Sequence, residues 1–151
     1  MIKLARATDT DLTEISEFLR IADLTLSGLD SATVHLWILR DQTSGHIAAM
    51  TGYESSDDGN HALIRSVAVD PELRGAGIGL EIAQFAMETA AVAGAKRAWL
   101  FSRRSGPFWQ KLGFSPADTN DLAAALASTH QVKLFTETGQ LRREVAWSRQ
   151  L

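Results

Sequence analysis

Cysteine is missing from this sequence, and the gap removes whole classes of chemistry. No disulfide framework, thiolate metal centre or cysteine nucleophile can be built. Long apolar runs are missing as well; none approaches the roughly 20 residues that span a bilayer. The opening MIKLARATDTDL lacks the apolar core of a signal peptide. A cytoplasmic location is therefore expected, with no membrane partner. Excess positive charge is also absent. The net charge is −3 and the pI about 5.8, which argues against a broad nucleic-acid-binding face. His35, His46, His61 and His130 are scattered without ligand spacing, so no metal site is expected. Tyrosine occurs once, as Tyr53. No repeat, low-complexity tract or linker interrupts the chain.

What is present is an ordinary globular composition. The chain has 151 residues, 45% hydrophobic and 22% charged, enough for one domain over 1–151 with a real core. KLARA, residues 3–7, alternates as a strand does. Thr8 or Asp9 can cap a helix over 10–22, with Leu12, Ile15, Phe18, Leu19 and Ala22 on one face. HLWILRD and HIAAMTGYE predict two strands around the turn QTSG. HALIRSVAV predicts a longer strand ending at Asp70-Pro71. Helical spacing then runs from Gly77 to about Ala93 through Ile78, Ile82, Phe85, Ala86 and Thr89, and Gly94 closes it. RAWLFS predicts a buried strand, SGPFWQKLGF a short helix, and TNDLAAALAS a further capped helix. QVKLFTE and LRREVAWSR predict a final antiparallel pair. Trp37, Trp99 and Trp147 fall on strands as core residues. The order predicts an α/β (α+β) sandwich around one mixed sheet.

One stretch spends stability without local return. VAVDPELRGAGIGL, Val67 to Leu80, puts Gly75, Gly77 and Gly79 where a helix begins. Glycine there costs backbone entropy. The compensation is access. Amides at a helix start are unpaired and lie at the positive end of its dipole. Without side chains a phosphate can reach them, and Arg74 adds a charged donor. Three motifs compete for this cradle. A P-loop requires Gly-Lys followed by Ser or Thr, which is absent. A dinucleotide fingerprint counted from Gly75 needs glycine where Leu80 stands, and the acidic residue about 20 positions on is missing. The pattern [RQ]-x-x-G-x-[GA] after a strand of the type V-A-V-x-P is complete.

That stretch resembles the acetyl-coenzyme A signature of the GNAT superfamily of N-acetyltransferases. SGPFWQKLGF, Ser105 to Phe114, is similar to the A-x-x-F-Y-x-x-x-G-F helix of the same superfamily. The resemblance implies a mixed sheet of about seven strands flanked by helices. Two parallel strands, 62–69 and 97–102, would splay apart. The pantetheine arm would pair with Val67 and Val69. The pyrophosphate would sit on the amides of Arg74, Gly75, Ala76, Gly77, Ile78, Gly79 and Leu80, with Ser105 and Phe108 also at the cofactor. The implied chemistry is direct transfer from acetyl-CoA to an amine, without a metal. The oxyanion would be held by a backbone N–H of Ala68 or Val69.

Two positions depart from the common pattern. Trp109 stands where a tyrosine often protonates the leaving thiolate, and indole N–H is not acidic enough to do so. Arg65 stands where a glutamate often drains the proton. Water, Glu54 or Tyr53 would then move the proton. SRRSGPFWQKLGF, LIRSVAV and ADLTLSGLD also resemble stretches of the amino-acid (N-acetylglutamate synthase-like) and arsenic-resistance N-acetyltransferases. This implies a small amino-acid-like acceptor, with Arg65 and Arg104 binding its carboxylate. A protein or peptide N-acetyltransferase and a non-catalytic CoA-binding domain stay open as alternatives. So does a homodimer, through exposed strand edges.

Overall fold

A computed structural model describes residues 2–151. Strand β1 (Ala5–Arg6) is short. The Thr8 N–H then donates to the Asp11 carboxylate at 2.9 Å, starting a 3-10 turn that runs into α1 (Leu12–Ile21). Ile15 and Leu19, four apart, are the fully buried face of α1. Arg40 ties the start of this helix to the sheet through Asp11 and Glu14, both at 2.8 Å.

Strands β2 (Val34–Arg40), β3 (Ile47–Ser55) and β4 (His61–Val69) form an antiparallel meander. Helix α2 (Ile78–Val92) leads to β5 (Arg97–Phe101), which lies parallel to β4. Next come α3 (Gly106–Lys111), β6 (Ser115–Ala117), α4 (Thr119–Ala125), α5 (His130–Thr138) and β7 (Ala146–Gln150). The seven strands make one sheet in the order β1-β2-β3-β4-β5-β7-β6. Helices α2 and α3 cover one face, over Trp37, Tyr53, Ile64 and Leu100. On the other, α1 packs on Leu36, Ile38 and Met50, while α4 and α5 pack on Leu63, Trp99 and Ala146. Trp37, Trp99 and Trp147 are all buried.

The end of the chain corrects the sequence reading. QVKLFTE is not a strand; it lies in α5. Val132 and Leu134 suggest alternation, but Phe135 breaks it, and the ends are helical. The Thr129 hydroxyl accepts from the Val132 N–H, and Gly139 closes the helix at φ 75°. Val132 is buried and Phe135 meets Phe101 edge-on at 5.1 Å, so the helical face is the one that packs. Only the last part of LRREVAWSR is extended. Its strand, β7, pairs with β5 and with Ser115–Ala117, which no sequence pattern marked as a strand.

The parallel pair separates. β4 and β5 are in register only from His61/Arg97 to Leu63/Trp99, although β4 continues to Val69 and β5 to Phe101. The cause lies in β4. Ser66 takes φ 61°, and the register with β3 shifts between Met50 and Gly52. A non-glycine residue there costs about 1–2 kcal/mol, and such a bulge turns a strand away from its neighbour.

Candidate active site

The loop after β4 is built to leave amides free. The Asp70 carboxylate accepts from the Glu72 N–H at 3.0 Å, and a 3-10 turn over Pro71–Leu73 aims the chain outward. Gly75 and Gly77 follow at φ 94° and 79°, and a Cβ at either would project into open space. Among the described residues, none of the N–H groups of residues 75–80 donates to the protein. They converge at the start of the 15-residue helix α2, where the helix dipole favours an anion. Phe108 of α3 lies 3.4 Å from the Cβ position of Gly79 and walls one side. The Ser105 hydroxyl does not cap α3.

The open edge of β4 adjoins this cradle. The Asp70 N–H donates to the Ala48 carbonyl at 2.8 Å. N–H directions alternate along a strand. Ala68 therefore turns its N–H toward β3, opposite its partner Met50. Val67 and Val69 turn theirs toward the gap before β5. Ala68, expected as an oxyanion donor, thus directs its N–H into the sheet, whereas the N–H of Val69, the other candidate, faces the gap.

A second, buried cluster lies on the face that carries α5. Arg65 Nη1 donates to Glu54 Oε1 at 3.2 Å, with the two side chains 0% and 1% exposed. Glu54 Oε2 accepts from the His130 backbone N–H at 2.6 Å and meets its Nδ1 at 2.7 Å. Glu54 thus anchors the start of α5 to the sheet. Arg65 Nε donates to Ser66 Oγ at 3.3 Å, while Nη2 is buried with no partner among the described residues. Burial pushes the Arg65 guanidinium below its usual value, and Glu54 opposes the shift. The loop over 22–33 closes onto this cluster. Gly28, at φ 71°, sits so near that a Cβ would come within 2.5 Å of the His130 ring. Ser27 Oγ donates to the His130 carbonyl at 3.3 Å.

Other sequence candidates lie apart from this cluster. Tyr53 is next to Glu54 in β3 and therefore points to the opposite face. It packs against His35 at 4.8 Å and Trp37 at 6.0 Å. Burial raises its phenol above the usual range, with Arg6 opposing. Trp109 is core, edge-on to Phe108 and Phe114. Arg104 is 76% exposed and stands 3.7 Å from Asp23 of loop 22–33. His130 was missed because it lies 76 residues from Glu54 in the chain, and no spacing rule joins them. Among the described residues, no group of three or more acidic or histidine side chains is placed to hold a metal. Nor is any helix long and apolar enough to cross a membrane.

The profile of the acetyltransferase (GNAT) family matches residues 4–114. No curated protein sequence matches the chain. Solved structures do. N-acetylglutamate synthase from Neisseria gonorrhoeae, complexed with coenzyme A and N-acetyl-glutamate, superposes at TM-score 0.77 and 16% identity, covering 100% of this chain and 35% of the synthase. The chain therefore spans about a third of that protein. Rv2747 from Mycobacterium tuberculosis, in complex with CoA and NLQ, gives TM-score 0.77 and 18% identity, with 99% of both chains covered. An acetyltransferase of the GNAT family from Staphylococcus aureus gives 0.75 and 17%, covering 100% of this chain and 99% of that one. At such identities the likeness is one of fold.

Proposed function

The chain belongs to the GNAT acetyltransferase family, and on that premise we propose that its acceptor is a small, amino-acid-like amine. The family makes it an acyl-CoA-dependent N-acetyltransferase. Acetyl-CoA, when bound, supplies an activated acetyl thioester. The cradle fits the donor's pyrophosphate, through the free amides of residues 75–80 with Arg74 beside them. The open N–H groups of Val67 and Val69 suit the pantetheine arm and the oxyanion. Phe108, which lies against Gly79, supports the same reading, and Ser105 just before α3 is assigned to the donor with it. A cytoplasmic site of action, where acetyl-CoA meets free amino acids, belongs to the same proposal.

The observation that carries the acceptor class is the unpaired Nη2 of Arg65. A buried donor without a partner costs about 1–3 kcal/mol, more when charged. A carboxylate completes it, and a guanidinium binds carboxylates with directional pairs. Arg104, beside Asp23 of loop 22–33, is the second cation offered to that carboxylate. Loop 22–33, seated on His130 through Gly28, favours a closed pocket over a groove for an extended peptide. Thiol release from acetyl-CoA tests the proposal, against free amino acids, phosphinothricin, polyamines and peptides. Turnover is expected with a carboxylate-bearing amine, and Arg104→Ala is expected to raise its KM several-fold at nearly unchanged kcat. Preference for polyamines or peptides over every free amino acid would overturn it.

A further inference from the structure

Glu54 cannot easily accept the proton that the reaction releases. Its Oε1 is committed to Arg65, and its Oε2 holds both the backbone N–H and Nδ1 of His130. The carboxylate is also sealed at 1% exposure. Its bonds instead do something to the histidine. An acceptor-only carboxylate at 2.7 Å requires the proton on Nδ1, so a neutral ring presents its lone pair at Nε2. Nε2 has no partner among the described residues, and the side chain is 39% exposed. The ring lies under loop 22–33. Glu54 pairs with Leu63, the last residue of β4 in register with β5, so the dyad stands at the fork of the splayed strands. The bulge at Ser66 is about 10 Å further along, at roughly 3.3 Å per residue.

We propose that His130 is the base that takes the acceptor's ammonium proton, with Glu54 as the residue that positions it. The inference rests on the acetyl-transfer reading above. His130 Nε2 removes one proton from the ammonium, and the freed amine lone pair attacks the thioester carbonyl carbon. The C–N bond forms and the C–S bond breaks, with its electron pair going to sulfur. The second amine proton ends on the thiolate, and the imidazolium returns its proton to solvent. The surroundings favour this cycle. From β3 the ring faces Glu54, and from β4 Arg65 stands behind that carboxylate. Loop 22–33 contributes the uncharged Ser27 and Gly28 at the contact; its carboxylates are Asp30 and Asp23, the latter beside Arg104. The other charged residues of its own helix are Lys133 and Glu137. Positioned bases of this kind contribute about 10²–10⁴-fold.

The test is the pH profile of kcat for the wild type, His130→Gln, His130→Ala and Glu54→Gln, with CoA affinity and melting temperature measured beside it. His130→Gln is expected to lose about 100-fold or more in kcat and the acid limb of the profile, at unchanged CoA affinity. Added imidazole is expected to rescue His130→Ala. Glu54→Gln is expected to shift the limb without abolishing it. If His130→Gln keeps the wild-type kcat and limb, the role of His130 is overturned and the acetyl-transfer reading stands. If the wild type acetylates no amine, both fall. Should the substitutions impair folding, the limb of the wild type is compared with NMR titration of the His130 ring, and a mismatch overturns the proposal.

Discussion

The cradle at residues 74–80 and the cluster of Glu54, Arg65 and His130 handle charge by opposite means. The cradle is made of backbone, is contiguous in sequence and stands open. Its glycines give it shape by having no side chains. The cluster is made of side chains from β3, β4 and α5, with its Glu54–Arg65 ion pair sealed from water and His130 part-exposed at its edge. Backbone amides carry partial charge at little cost of desolvation. Buried full charges must be paired, and each depends on the others for its place. The cradle should therefore lose function without unfolding, and the cluster should lose stability with its function.

Glu54→Ala is the harshest way to break that contrast. It leaves Arg65 buried and unpaired and unties the start of α5. A loss of about 3–5 kcal/mol is expected. Thermal melting should then fall by roughly 6–20 °C in a chain of this size. A fall of under about 2 °C would show the cluster to be no keystone. Gly77→Asp is the counterpart in the cradle. It forces a side chain into the left-handed region and places a carboxylate among the free amides. CoA binding, followed by calorimetry, should weaken by about 100-fold, a loss of about 2.7 kcal/mol, while melting changes by only a few degrees. Equal damage to binding and melting would erase the distinction.

pH sharpens the contrast more gently, because amides do not titrate in this range and side-chain clusters do. His35, outside that cluster and packed with Tyr53 on the opposite face, is the clear case. Burial, and then the nearby Arg6, hold its ring below the ordinary histidine value. Arg6 Nη2 donates to His35 Nδ1 at 2.8 Å, which requires the unprotonated nitrogen. The unfolded chain therefore binds this proton more readily than the folded one. The stability His35 contributes is present above about pH 6.5 and lost as pH falls below it. Melting curves between pH 5 and 8 should show wild type losing more on acidification than His35→Gln. Parallel curves for the two would remove His35 from the account.

How much was legible follows the same division. The cradle could be read because strand, proline, arginine and glycines fall in one run, and each has a local reason to be there. The helix faces of α1 and α2 and the strand HALIRSVAV were legible for the same reason, since their periods are local. Glu54 and Arg65 could be singled out as charges in strands, but not as a pair. Their contact depends on the β3–β4 register, which a bulge shifts. Tyr53 and Glu54 could both be named for the proton, yet adjacent residues of a strand face opposite ways. QVKLFTE misled because four residues of alternation weigh less than a Thr129 cap, a Gly139 stop and a carboxylate from β3.

By itself the sequence determined the cradle, the order of most elements and the family to which the chain belongs, because each is written in motifs and periods local to the chain. Only the tertiary structure decided where the splayed β4 and β5 part, after Leu63/Trp99, that Ala68 turns its N–H into the sheet, and that Glu54 joins Arg65 to His130. Those outcomes depend on register, on which face of a strand is covered and on a helix docked 76 residues away. They are contacts between distant segments, and no local period records them.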